Sequence, residues 1–346
     1  MLGNSKSSKF FRMALWAATL AFISVVFNTH ARLSEAGFGC TDWPGCYGML
    51  FAPVTAQELD TLRSAEEQMQ LDKARAGQET TQRFISATLS LVLIRLCRLG
   101  WNLKKNKRSQ QVLIPLTTLL VTFGLSAAGF MTFEFRYKPV AQMMQITGGM
   151  TILALLWWIV LREQRLFQSA SATPFTRRIR LRVLFAIALV SLEILLGGWS
   201  MVNYAGLACP DFPTCQEVWW PSMDFVDAFT LWNNVGLSYE GRLLNLPAAT
   251  AIHVGHRVVA LMVMAYLGWF SIYLMRTGTQ DMLGLYGLLL LAVLSLQMIL
   301  GVVEVLAHLP LVIAVAHTAG AALLLMTLVT MYHVCKAPRI PKSASP

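Results

Sequence analysis

Ala208-Cys209-Pro210-Asp211-Phe212-Pro213-Thr214-Cys215 has a counterpart earlier in the chain, Gly39-Cys40-Thr41-Asp42-Trp43-Pro44-Gly45-Cys46. Both read Cys, one residue, Asp, an aromatic, Pro, one residue, Cys. Two further pairs keep nearly the same register. Gln82-Arg83 stands where the second copy has His256-Arg257, and Gln145-Ile146-Thr147-Gly148 where it has His317-Thr318-Ala319-Gly320. Self-similarity at a long fixed spacing marks a duplicated architecture, so the chain reads as two tandem copies of one unit.

Composition says what that unit is made of. The 346 residues are 55% hydrophobic and 13% charged, with mean hydropathy +0.54. Soluble domains carry roughly 25% charged residues, so the expectation is an all-α integral membrane protein. Apolar runs of about 20 residues read as spanning helices. Eight are found, near 12–30, 80–100, 112–131, 139–161, 181–201, 247–274, 281–304 and 309–334. The first follows Lys6, Lys9 and Arg12 as a signal peptide would, but no clear small-x-small cleavage site comes after it. It is read as a retained helix.

The net charge of +10 implies no nucleic acid partner. Its carriers gather in alternate loops: Lys6, Lys9 and Arg12; Arg95 to Arg108; Arg162 to Arg182; Arg276; and Lys336 to Lys342. Basic loops stay cytoplasmic. The expected topology is therefore multi-pass in a membrane, with both termini cytoplasmic and the loops near 31–79 and 202–246 external. An even number of crossings per copy makes the copies parallel, related by an axis along the membrane normal. The predicted architecture is two pseudo-symmetric four-helix bundles, 1–163 and 177–346, joined by a cytoplasmic linker at 164–176.

The motif cysteines fall on the oxidising side. Each pair, Cys40 with Cys46 and Cys209 with Cys215, reads as a loop disulfide in preference to free thiols or a metal site. Cys97 and Cys335 sit at cytoplasmic helix ends and read as free. Residues 55–76 of the first loop have Leu59, Leu62 and Met69 at helical spacing, which predicts a short surface helix.

His256 and His317 are the residues that suggest chemistry. A histidine inside a spanning helix is costly and faces a partner, a metal or the bundle interior. Two at similar depth on helices of one bundle suit bis-imidazole ligation of a b-type haem. The competing reading makes each a polar residue hydrogen-bonded between helices. His253, three residues before His256, could ligate in its place or bond a propionate. Arg257 could pair with a propionate or snorkel to the interface. Glu79 is placed in the first copy where His253 stands in the second. Glu193 and Glu304 also lie in apolar helices but reach the interface on this reading. His30, His308 and His333 read as interfacial.

The chain resembles the haem A synthase family (CtaA/Cox15 type). The resemblance rests on Cys40–Cys46, Asn203-Tyr204-Ala205, Cys209–Cys215, Trp219-Trp220-Pro221, Ile252–Arg257 and His317–Ala321. It implies that the C-terminal bundle holds haem b on His256 and His317. The N-terminal bundle would bind haem O and oxidise its C8 methyl to the formyl group of haem A, with Glu79 as the functional glutamate and Gln82, Arg83 and Gln145 in the substrate pocket. It further implies service to cytochrome aa3 oxidase assembly beside a haem O synthase. The family has histidines where this chain has Gln82 and Gln145, and an amide is a weak iron ligand. Three readings follow. Haem O is held by shape, propionate contacts and weak or alternative ligands (Met143 and Met144 are adjacent); or oxidation is lost, leaving a non-catalytic haem b protein of assembly or electron transfer; or the chain works beside a second, complete copy. A homo-oligomer is a further expectation.

Overall fold

A computed structural model describes residues 5–33, 73–103, 110–135, 138–164, 174–230, 244–277 and 282–335. They form eight long helices. We label them α1 (Ser5–Leu33), α2 (Lys73–Leu103), α3 (Gln110–Phe135), α4 (Lys138–Gln164), α5 (Pro174–Val202), α6 (Leu246–Thr277), α7 (Met282–Leu306) and α8 (Leu311–Val334). Each overlaps an apolar run read from the sequence and extends beyond it by a turn or so at most ends. Helix is the state in which a long apolar segment satisfies its own backbone polar groups. Among the described residues, α1, α2, α4, α6, α7 and α8 are long and apolar enough to cross a membrane, and α3 offers a shorter apolar stretch, Val112–Ala127. The described residues are thus almost wholly helical, with six candidate spans among them.

Helix ends follow local chemistry. At the start of α6 the Asn245 carboxamide oxygen accepts from the Ala248 N–H at 2.9 Å, capping an otherwise unpaired donor. Between α7 and α8, His308 and Leu309 both take positive φ, near 60°. The Leu309 N–H donates to the Glu304 carbonyl at 2.8 Å, closing the helix end in the manner of a left-handed C-terminal cap. His308 is exposed at this turn.

The packing repeats. α1 packs on α2 and α4, and α3 on α2 and α4; in the same way α5 packs on α6 and α8, and α7 on α6 and α8. Diagonal helices thus face each other across each ring. The rings meet through α4 with α8, α1 with α8, and α4 with α5. α1 presents Ala14, Ala17, Ala18 and Ala21, all buried, to its neighbours. Small residues on one face let helix backbones approach where lipid supplies no hydrophobic driving force. α8 is buried on two sides. Ala322, Leu325 and Val329 join Leu93, Leu153 and Leu156 in one core, while Leu324, Leu328 and Met331 join Leu267, Phe270 and Leu290 in the other.

Two details sharpen the repeat. A shift of 172 residues carries Gly148 onto Gly320 and Leu125 onto Gln297, and in each copy that glycine is crossed by that side chain. Trp157 on α4 donates to Thr330 on α8 at 2.9 Å, and Trp158 packs edge-on against His333. His333 is therefore buried between the rings, at 1% exposure, and not interfacial as the sequence suggested. Its position at a helix end concealed that α8 is covered on both sides.

Candidate functional site

The residues at the ligand positions lie at one end, where α1, α3, α5 and α7 finish and α2, α4, α6 and α8 begin. In the second ring His256 projects from α6. Its Nδ1 lies 3.0 Å from Glu193 Oε1 on α5, and it makes no aligned hydrogen bond. One turn after Glu193 comes Gly197, over which the imidazole rests. A Cβ there would come within 3.1 Å of His256 Cε1.

His317 on α8 has the same surroundings on α7. Its Cε1 would be 3.0 Å from a Cβ at Gly301, and its Nδ1 lies 4.0 Å from Glu304 Oε2. Gln297, one turn before Gly301, brings its amide Nε2 to 3.2 Å from His317 Nε2, where the amide N–H donates. Each supporting helix therefore shows a polar residue and, four positions later, a glycine that makes room for a ring. The Nδ1 atoms of both histidines are buried without a hydrogen-bond partner. His256 lies within electrostatic reach of His317 and Glu304. Two imidazoles on the diagonal pair α6 and α8, each with Nδ1 turned to a glutamate, form a donor set whose Nε2 atoms could hold a haem iron.

The loop above this ring is built around Cys209 and Cys215, which form a disulfide with Cα atoms 4.5 Å apart. Asp211 organises it. Its carboxylate accepts from the Thr214 hydroxyl, from the Gln216 N–H at 2.6 Å and from the Glu217 N–H at 3.1 Å. These bonds, the Thr214 hydroxyl foremost, hold the Asp211 carboxyl below its ordinary range. Gln216 and Glu217 both sit at positive φ, 57° and 64°. Arg257 on α6 fastens the loop to the bundle. It donates to the carbonyls of Thr214 at 2.7 Å, Cys209 at 3.0 Å and Asp211 at 2.7 Å, and its guanidinium lies over the Phe212 ring. His253, buried, places Nδ1 3.0 Å from the Ala205 carbonyl in the turn after α5.

Two expectations follow for this loop. Arg257→Ala removes three charge-assisted bonds, each worth about 1.5–3 kcal/mol. Reduction of Cys209–Cys215 by a phosphine should then become about tenfold faster or more. For Asp211 the folded pKa is lowered, so its contribution is present above the ordinary carboxylate pKa of about 3.9 and is lost as pH falls through the lower folded value. Phosphine reduction should therefore accelerate in acid for the natural chain, and Asp211→Asn should flatten that dependence.

The first ring places Gln82 and Gln145 where the second has His256 and His317, and both meet α1. Gln82 Nε2 lies 3.0 Å from Ser24 Oγ. Arg32 donates to Gln145 Oε1, and its Nε lies 3.3 Å from Asn28 Oδ1. Near the start of α2, Glu79 Oε2 lies 3.8 Å from Arg83 Nη2, one turn away.

Comparison with known proteins places this arrangement. Residues 11–329 match the family described as COX15-CtaA, cytochrome oxidase assembly protein. The protein belongs to the COX15-CtaA family. The heme A synthase of Shewanella oneidensis is 34% identical over 90% of this chain and 93% of its own. Those of Methylobacterium nodulans and Bacillus cereus (strain G9842) are each 23% identical, over 89% and 69% of this chain and 87% and 70% of their own.

Within this family member the structure sorts the residues singled out from the sequence. It brings His256 and His317 into one ring and Gln82 and Gln145 into the other. His253 is committed to the turn after α5 and Arg257 to the disulfide loop, because they lie on the part of α6 that the loop covers. Met143 turns away from the first ring. Its Sδ would be 3.0 Å from a Cβ at Gly198 on α5, so it packs between the rings, while Met144 is exposed. Cys97 and Cys335 are free thiols. Cys40, Cys46 and residues 55–72 lie outside the described residues. The sequence reading missed Ser24, Asn28 and Arg32, and it undervalued Glu193 and Glu304. The four-residue spacing of Ser24, Asn28 and Arg32 in an otherwise apolar run was the available signal.

Proposed function

We propose that this family member is a haem A synthase-type oxidoreductase of a bacterial membrane, oxidising the C8 methyl of haem O to a formyl group for cytochrome aa3 oxidase maturation. The observation that carries this reading is the matched pair His256 and His317, seated over Gly197 and Gly301 on diagonal helices of a chain that belongs to an oxidase assembly family. Eight spans in two parallel four-helix units, 1–163 and 177–346, with 164–176 between them and both termini cytoplasmic, give the architecture. The repeated ring packing and the basic alternate loops support it.

His256 and His317 would hold haem b, whose chemistry there is one-electron transfer. For His317 this requires the iron to take the place of Gln297 on Nε2. Glu193 and Glu304 stand beside the opposite edges of the imidazoles. A carboxylate near Nδ1 makes an imidazole a stronger donor and stabilises the ferric state. Glu193→Gln should therefore raise the haem b midpoint potential, measured by redox titration of the purified protein. An unchanged potential would remove Glu193 from that role.

The first ring would take substrate haem O, with Glu79 at its mouth moving a proton or stabilising positive charge that develops at the oxidised carbon. Arg83 lies one turn along the same face and keeps that carboxylate in a charged setting. A bacterial strain lacking its own haem A synthase provides the test. Expression of this chain should restore a haem A-containing oxidase, seen in the reduced spectrum of membranes. Stable membrane insertion without any restored oxidase would instead favour a non-catalytic haem b protein.

A further inference from the structure

The first ring differs from the second on the helix that faces the ligand positions. Along α1, Ser24, Asn28 and Arg32 follow at four-residue steps, which puts them on one stripe of the helix. The shift of 169 residues that carries Cys40 onto Cys209, just beyond these helices, places Glu193, Gly197 and Met201 at the corresponding positions. A guanidinium is thus built into the first pocket at a place where the second has none.

That stripe decides what the two amides can do. A carboxamide coordinates a metal through its oxygen, because the nitrogen lone pair is delocalised. Gln145 Oε1 already accepts from the Arg32 guanidinium, which occupies one of its lone pairs and sets a fixed positive charge beside any cation. The Gln82 NH2 is used on Ser24. Its Oε1 is buried and makes no hydrogen bond, and an amide oxygen is a weak donor to iron. The pair therefore presents two neutral amides, both held by α1, where the other ring presents two imidazoles.

We propose that the first-ring pocket is a hydrogen-bonding site without axial protein ligands at these two positions. Ser24 and Arg32 of α1 lock Gln82 and Gln145, Arg32 is a positioning residue for the bound substrate, and the substrate iron keeps a coordination site open to a small molecule. This rests on the reading that the first ring takes haem O. The second ring is closed by comparison, since both of its faces would be filled by imidazole.

The test uses the full-length protein purified from cells that make haem O. Haem content, electron paramagnetic resonance and carbon monoxide binding of the reduced form are measured for the natural chain, Gln82→His/Gln145→His, Arg32→Leu and Ser24→Ala. The natural chain should carry low-spin haem b and a second, high-spin haem that binds carbon monoxide. The double histidine variant should convert the second haem to low spin and lower its carbon monoxide binding more than tenfold. Arg32→Leu should reduce occupancy of the second haem severalfold while haem b stays. Ser24→Ala, a smaller change, should shift the second haem's spectrum if Arg32→Leu does not fold. A second haem that is already low-spin and inert to carbon monoxide in the natural chain overturns the proposal alone. So does a second haem unaffected by either α1 variant. A single haem b per chain in every variant overturns the reading of the first ring as a haem pocket, and this proposal with it.

Discussion

His256→Ala and His317→Ala should each abolish the low-spin haem b spectrum of the purified protein. The argument is stoichiometric. A bis-imidazole low-spin haem needs an imidazole on each face of the iron, and on this reading His256 of α6 gives one and His317 of α8 the other. His253 is three residues from His256, but its Nδ1 faces the Ala205 carbonyl at 3.0 Å and the side chain is buried against the turn after α5. It has no route to substitute without unpacking that turn. His253→Ala should therefore keep the low-spin signal while lowering thermal stability, through the cavity left and the unpaired carbonyl. Optical and paramagnetic resonance spectra of the three variants decide the point. Retention of the signal in both His256→Ala and His317→Ala would remove these residues from the iron.

Glu79→Gln should lower haem A formation by about 10²–10⁴-fold, the range expected when a positioned proton-transfer group is lost, with haem b content unchanged. The carboxylate lies on the first ring, near the start of α2, while the proposed haem b ligands lie on the second. A structural role for Glu79 would lower protein yield and haem b together. A chemical role lowers only the product. The measured quantity is the ratio of haem A to haem B extracted from membranes that also contain a haem O synthase. A ratio unchanged in Glu79→Gln would take the carboxylate out of the chemistry.

Much of this fold was legible because membrane helices are coded by long apolar runs, and duplication by repeated punctuation. The cysteine motifs and the ligand-position pairs set the register that Gly148 with Leu125 and Gly320 with Gln297 repeat in space. Contacts that depend on helix rotation were not legible. Glu193 and Glu304 looked like interfacial acids because the sequence gives depth along a helix but not the direction a side chain faces. Arg257 looked equally suited to a propionate and to the interface, and the loop carbonyls that it holds are 43 to 48 residues away in sequence. His333 stands at a helix end and is nevertheless buried against Trp158, because α8 is shared between the rings. On α1 the polar stripe was visible as spacing, but its meaning required knowing that Gln82 and Gln145 both turn toward it.

The most direct measurement is the identity of the haem extracted from aerobic cells that express this chain together with a haem O synthase and no other haem A synthase. The account predicts haem A, absent when the chain is omitted and greatly reduced in Glu79→Gln. Haem B and haem O alone, with the protein inserted and its haem b spectrum intact, would contradict it.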